Sequence, residues 1–139
     1  LADKLYSADS DLEAHEPDVG KYVKKGRASF LDMHRRAQGL IIDWLDREGY
    51  VDLEQNKLTK ANLVNVDELK EWSVFIALKL VFRGLSNAVG DFFEKKAQTY
   101  EASESLWRQR AILRLDLNND GEADKFEDSD IRTCIVIRR

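Results

Sequence analysis

An uninterrupted run of helix-forming residues that starts at Asp91 constrains the fold of this chain more than any other feature. Asp91 and Glu94 have the spacing of a capping box, and no Gly or Pro interrupts the run that follows. Three aromatic residues recur every heptad along it and leave a narrow apolar seam on a charged helix. These residues are Phe93, Tyr100 and Trp107. Because such a helix cannot bury its seam alone, the residues before it must supply the surface against which it packs.

Two shorter helices are predicted before this long one. The first ends at Gly49, a residue typical of helix C-termini, and carries one apolar face. The second is apolar almost all round, which indicates burial on more than one face. A domain with three helices has few other elements to cover both faces. We therefore expect the second helix to lie at the centre of the fold or against another subunit. The candidate subunit-interface residues are Trp72, Val74, Phe75, Leu78, Val81 and Phe82.

The composition agrees with one mostly helical domain. The chain has 139 residues, of which 43% are apolar, with one Pro and seven Gly. We predict an all-α fold with three main helices, at about 29–48, 67–85 and 91–115. Residues 1–28 are polar and are predicted to form an extended N-terminal arm, with at most a short helical turn near Ser10–His15. The predicted divisions are the arm (1–28), the helical domain (29–115), and an acidic loop with a C-terminal tail (116–139).

The long helix leads into the acidic sequence DLNNDGEADKFE, which fits the pattern D-x-[DN]-x-[DN]-G-x5-E of a calcium loop. Calcium takes about six to eight oxygen ligands, and Gly121 permits the sharp turn that such a loop needs. An entering helix is predicted, but the residues after the loop resemble a turn and a strand. Two interpretations fit this sequence: a calcium site, and a metal-free turn rich in Asp and Asn. The candidate ligands are Asp116, Asn118, Asp120, Glu122, Asp124 and Glu127.

The last nine residues, IRTCIVIRR, alternate in polarity and are rich in β-branched residues, so they predict a strand. The sequence offers this strand no partner within the chain, and an exposed apolar strand promotes aggregation. We therefore expect another chain to pair with it. The candidate partner-interface residues are Ile131, Arg132, Ile135, Ile137, Arg138 and Arg139.

Several classes of protein are disfavoured. The single cysteine, Cys134, excludes an intramolecular disulfide framework and a cysteine zinc site. The first 20 residues are acidic without an apolar core, which is unlike a signal peptide, and the longest uncharged apolar stretch is too short for a membrane span. The net charge of −4 does not indicate a general nucleic-acid binder.

The sequence also carries no recognisable catalytic motif. We find no phosphate-binding glycine loop, no G-x-S-x-G elbow and no H-E-x-x-H pair. The two histidines, His15 and His34, lie in unrelated contexts. His34 falls on the apolar stripe of the first helix, and we interpret it as a packed, hydrogen-bonded side chain. We expect a protein that is not an enzyme, with calcium as the one candidate cofactor.

Six short motifs follow one another along residues 29–139, before a strand that ends in arginine: LDREGY, TKANLVN, DELKEW, LSNAVGDFF, KKAQTYE and LDLNNDGEAD. In the order of these motifs the chain resembles the head-to-tail connector adaptor proteins of tailed bacteriophages. The resemblance implies a mostly helical, non-enzymatic virion protein, made in the host cytoplasm. Such proteins form a ring of about twelve copies beneath the portal protein, extend the DNA channel, and dock stopper, tail-terminator or other neck proteins.

The resemblance also gives the tail a role, since residues 131–139 would contact the portal by strand addition. DNA would pass through the channel without sequence-specific binding, and an acidic protein suits such passage because basic residues dominate affinity for phosphate. Calcium is not a defining feature of the family. The alternative interpretation is a small EF-hand-like calcium-binding regulatory or scaffolding protein that uses residues 116–127.

Overall fold

The computed structural model describes residues 5–23, 27–51, 54–59, 62–63, 66–115 and 128–130, and this part of the chain is mostly helical. The helices are α1 (Asp9–His15), α2 (Leu31–Arg47), α3 (Lys70–Leu85) and α4 (Phe92–Arg110). Short 3-10 turns span Val19–Tyr22 and Val66–Leu69, and two short strands, β1 (Ile112–Arg114) and β2 (Asp128–Asp130), pair antiparallel. The mostly helical character of the described residues confirms the predicted all-α class.

Helix α3 lies at the centre, where it packs against both α2 and α4. Its contacts with α4 run in opposite directions along the two helices, so α3 and α4 form an antiparallel hairpin. Trp72, near the start of α3, donates its indole N–H to Glu104, near the end of α4, at 2.9 Å. Phe82, near the end of α3, stacks on Phe93 at the start of α4, with ring centroids 6.3 Å apart.

The turn between α3 and α4 is held by the carboxylate of Asp91. One of its oxygens accepts from the backbone N–H of Glu94 at 2.7 Å, and the other accepts from the backbone N–H of Asn87 at 2.8 Å. Glu94 in turn accepts from the N–H of Gly90, one residue earlier than the capping box requires. Gly90 has a φ of +77°, a conformation that glycine adopts without strain. These contacts fix the turn at both of its ends.

Helix α4 ends at Arg110, so the prediction of a helix to about residue 115 was wrong at its C-terminal end. Ala111 is extended (φ −61°, ψ 133°), and β1 follows at once. Leu115 forms an antiparallel bridge with Leu63, and both are buried. Strand pairing and the burial of Leu115 therefore outweigh the helical propensity of the sequence after Arg110.

The N-terminal residues are part of the folded body. We call residues 5–23 the N-terminal strap. It contains α1, which lies where a short helical turn was predicted near Ser10–His15, and a 3-10 turn. Tyr6, Leu12 and Val19 of the strap are 3%, 0% and 1% exposed and belong to the hydrophobic core. The strap therefore covers α3 as a third element besides α2 and α4.

Candidate functional site

Two of the predicted sites lie outside the described residues: the candidate calcium loop (116–127) and the C-terminal tail (131–139). Both stay predictions. The described flanks of the loop are strands, β1 before it and β2 after it. The entering helix expected of a helix–loop–helix calcium site is therefore absent from these flanks, because α4 ends at Arg110. Across the ranges that the structure describes, no group of three or more His, Cys, Asp or Glu side chains could hold a metal ion.

The six candidate subunit-interface residues of α3 are all buried within the single chain, with exposed fractions between 0% and 8%. The ring of Trp72 packs edge-on against Trp44 of α2 at 5.4 Å. Phe75 stacks on Tyr100 and Trp107 of α4 at 6.0 and 6.5 Å. Since α2, α4 and the strap cover α3 on its several faces, the apolar character of this helix gives no support to a second subunit.

The strap is joined to α4 by Glu16, whose carboxylate accepts from the ammonium of Lys96 and from the hydroxyl of Tyr100. Burial by itself would raise the pKa of Glu16, but the hydrogen bonds from Lys96 and Tyr100 and the charge of Lys96 outweigh it and lower that pKa. Burial and the neighbouring Glu16 carboxylate raise the pKa of Tyr100. Glu16 is therefore ionised and Tyr100 neutral at neutral pH.

Replacing Glu16 by Gln is expected to cost about 2 kcal/mol of stability at pH 7, because two hydrogen bonds to a charged group are weakened. The pKa of Glu16 is lower in the folded than in the unfolded chain. Its contribution is therefore present above the ordinary value of 4.5 and is lost as the pH falls through the lower folded value. Urea denaturation of both proteins between pH 7 and pH 3 should show the difference shrinking with acidification. A difference that is constant across this range would contradict the assignment.

A second polar cluster joins the strap to α2 and α3. The ring of His34 lies between Ser7, whose Oγ is 2.7 Å from Nδ1, and Asp9, whose Oδ1 is 3.0 Å from Nε2. Ser7 Oγ is also 2.8 Å from Oγ of Ser73 on α3. Either hydroxyl of the Ser7–Ser73 pair can donate to the other, and the roles of the two imidazole nitrogens depend on the tautomer of His34. The interpretation of His34 as a packed, hydrogen-bonded side chain is confirmed.

This cluster has the residue types of a catalytic triad, and it borders a cleft of about 730 Å³ between the strap, α2 and the start of α3. The hydroxyl of Ser7, however, is bonded to Ser73, which is fully buried, and Ser7 itself is 6% exposed. A nucleophilic hydroxyl must face its substrate, whereas this one lies between two core side chains. We therefore assign the Ser7–His34–Asp9 cluster to the attachment of the strap. No sequence motif connects these three residues, because they are far apart in the chain.

A different feature reaches solvent at the turn between α3 and α4. Val89 is 98% exposed and the neighbouring Phe92 is 59% exposed. Lys96 lies over the Phe92 ring, 5.8 Å from its centroid. We call Val89 and Phe92 the apolar tip. Its backbone is fixed by the Asp91 contacts described above, so the two side chains are held outward by an ordered turn. The sequence signal was an apolar residue within the turn sequence SNAVGD, which the sequence analysis did not use.

In comparisons with protein-family models, curated proteins and solved structures, nothing matched this chain. None of the helices in the described ranges combines the length and the hydropathy needed to cross a bilayer.

Proposed function

We propose that this chain is a structural virion protein, a head-to-tail adaptor that forms a ring beneath the portal of a tailed bacteriophage. In this role it extends the DNA channel, contacts the portal through residues 131–139, and docks stopper or other neck proteins. The proposal starts from the order of the short motifs in residues 29–139, and the mostly helical fold is compatible with it.

The structural observation that carries the proposal is the apolar tip. Val89 and Phe92 expose apolar surface on an ordered turn, and ordered apolar anchors are typical of binding hot spots. The turn is already ordered by Asp91 and Glu94, so a partner would bind it without ordering the loop first. We assign the apolar tip to the contact with a neighbouring neck protein.

Replacing both Val89 and Phe92 by Ser is expected to weaken binding to the cognate portal and neck proteins at least about tenfold, since each apolar anchor contributes about 1–2 kcal/mol. The melting temperature should change by less than about 3 °C, because both side chains are mostly exposed. Binding can be measured by surface plasmon resonance against each neck protein in turn.

The matched control is Leu106→Ser, which also removes an exposed apolar side chain (43% exposed) but lies towards the opposite end of α4. It should leave the affinities unchanged. If the tip variant binds every neck protein as tightly as the natural sequence, the tip is not a docking surface. If the natural chain binds none of them, the proposed function itself is wrong.

A further inference from the structure

The N-terminal strap lies over a row of aromatic rings that belongs to α3 and α4. The ring of His15 packs against Phe75 with centroids 4.9 Å apart, and Tyr22 packs edge-on against Phe82 at 5.7 Å. Phe75 and Phe82 in turn stack on Tyr100 at 6.0 and 5.7 Å. We call Phe75, Phe82 and Tyr100 the aromatic row. All three are at most 9% exposed, and the strap contributes to this burial.

The strap is held on the helices by side chains. The backbone hydrogen bonds described for it, such as those from Glu16 to Leu12 and from Val19 to Glu16, join strap residues to one another. Because its contacts with the helices are not part of a helix or a strand, the strap can separate while the helices keep their own backbone hydrogen bonds. The polar contacts are Ser7 with Ser73, Asp9 with His34, Asp11 with Lys70, His15 with Glu71, and Glu16 with Lys96 and Tyr100.

The strap also buries much less side-chain surface than the helix that it covers. Helix α1 has one buried residue, Leu12, whereas α3 has nine. With seven residues, α1 is also too short to be stable without its tertiary contacts. Because the free energy needed to open a segment grows with the apolar surface that it buries, the strap should open more readily than α3.

We propose that the strap is a lid, which opens and closes as one unit over the aromatic row while α2, α3 and α4 stay folded. The closed form predominates, because Tyr6, Leu12 and Val19 are buried in it. The open form exposes the apolar surface of the aromatic row. The lid therefore determines when this surface is accessible, and it operates in a single chain, with or without a ring.

Native-state amide hydrogen exchange of the natural chain, followed by NMR, measures this opening directly. The amides of Glu16 and Val19, which are hydrogen-bonded within the strap, should exchange at least about a hundredfold faster than the most protected amides of α3. Their exchange should also depend less on added urea, because opening the lid exposes less surface than unfolding the whole chain.

Two variants separate opening of the lid from global unfolding. Glu16→Gln weakens the closed form relative to both the open and the unfolded forms, so strap and α3 amides should both exchange about tenfold faster. Asp91→Ala removes contacts that lie within the turn between α3 and α4. It should speed the α3 amides roughly fivefold and leave the strap amides unchanged.

Two results would overturn the lid. If strap and α3 amides exchange at one common rate with one urea dependence, and Asp91→Ala speeds both equally, the strap opens only when the whole chain unfolds. If the strap amides of the natural chain exchange as fast as those of an unstructured peptide, the strap is not closed in solution.

Discussion

Replacing Leu12 by Ala is expected to lower the free energy of unfolding by about 3 kcal/mol. Leu12 is the one fully buried residue of α1, with 0% of its surface exposed, and it belongs to the same core cluster as α2, α3 and α4. Truncation removes apolar contacts and leaves a cavity that the surrounding helices fill only in part. The effect can be measured by urea denaturation at neutral pH, where a shifted midpoint with an unchanged slope reports a change in stability alone.

The matched control for Leu12 is Leu106→Ala, the same chemical change at a position that is 43% exposed. It should cost less than about 1 kcal/mol, because little buried surface is lost. A Leu12→Ala variant as stable as the control would show that the strap does not belong to the core in solution.

The second large effect is expected at His34, which is 2% exposed and hydrogen-bonded to both Ser7 and Asp9. Replacing His34 by Leu leaves those two polar groups without the imidazole and should cost about 2–3 kcal/mol. Replacing Ser7 by Ala should cost a similar amount, about 1–3 kcal/mol, because Nδ1 of His34 and the buried hydroxyl of Ser73 both lose their partner. Denaturation of the two variants under the same conditions gives the comparison.

His15→Leu provides the control for His34. His15 also contacts a carboxylate, Glu71 at 3.2 Å, but both side chains are about one-third exposed, so the pair should contribute less than about 0.5 kcal/mol. Buried polar groups are sometimes replaced by apolar ones without loss. A His34→Leu variant as stable as the natural protein would therefore mean that packing, and not this hydrogen-bond cluster, attaches the strap.

The elements that carry a strong periodic pattern could be predicted from the sequence. Helices α2 and α3 lie where their apolar patterns placed them, with bounds shifted by a few residues. Asp91 caps α4, and the seam of Phe93, Tyr100 and Trp107 packs on the core. In each case the local sequence and the tertiary packing favour the same conformation, so the pattern alone sufficed.

The strap and the end of α4 could not be predicted in the same way, because tertiary contacts determine them. The strap is short and acidic, and its helix owes its stability to Leu12 and to partners on three other helices. After Arg110 the sequence still favours a helix, but the pairing of β1 with β2 and the bridge between Leu115 and Leu63 select extended backbone. The strap supplies the cover that α3 was expected to receive from another subunit.

The candidate sites also differ in whether the local sequence indicates them. The apolar tip could have been inferred from Val89 in a turn sequence, whereas the Ser7–His34–Asp9 cluster joins residues that no motif connects. Residues 116–127 fit the calcium pattern by spacing alone. In a helix–loop–helix calcium site helices flank the loop, whereas strands lie on both sides of this one. The spacing of the acidic residues shows which side chains could serve as ligands, and the flanking elements determine how those side chains are held.

The most direct test of the central proposal is the mass of the natural chain by native mass spectrometry, alone and mixed with its cognate portal protein. One protomer has a mass of 16.0 kDa. The proposal predicts a closed ring of about twelve copies, at least when portal is present. A chain that stays at the mass of one protomer under both conditions would contradict it.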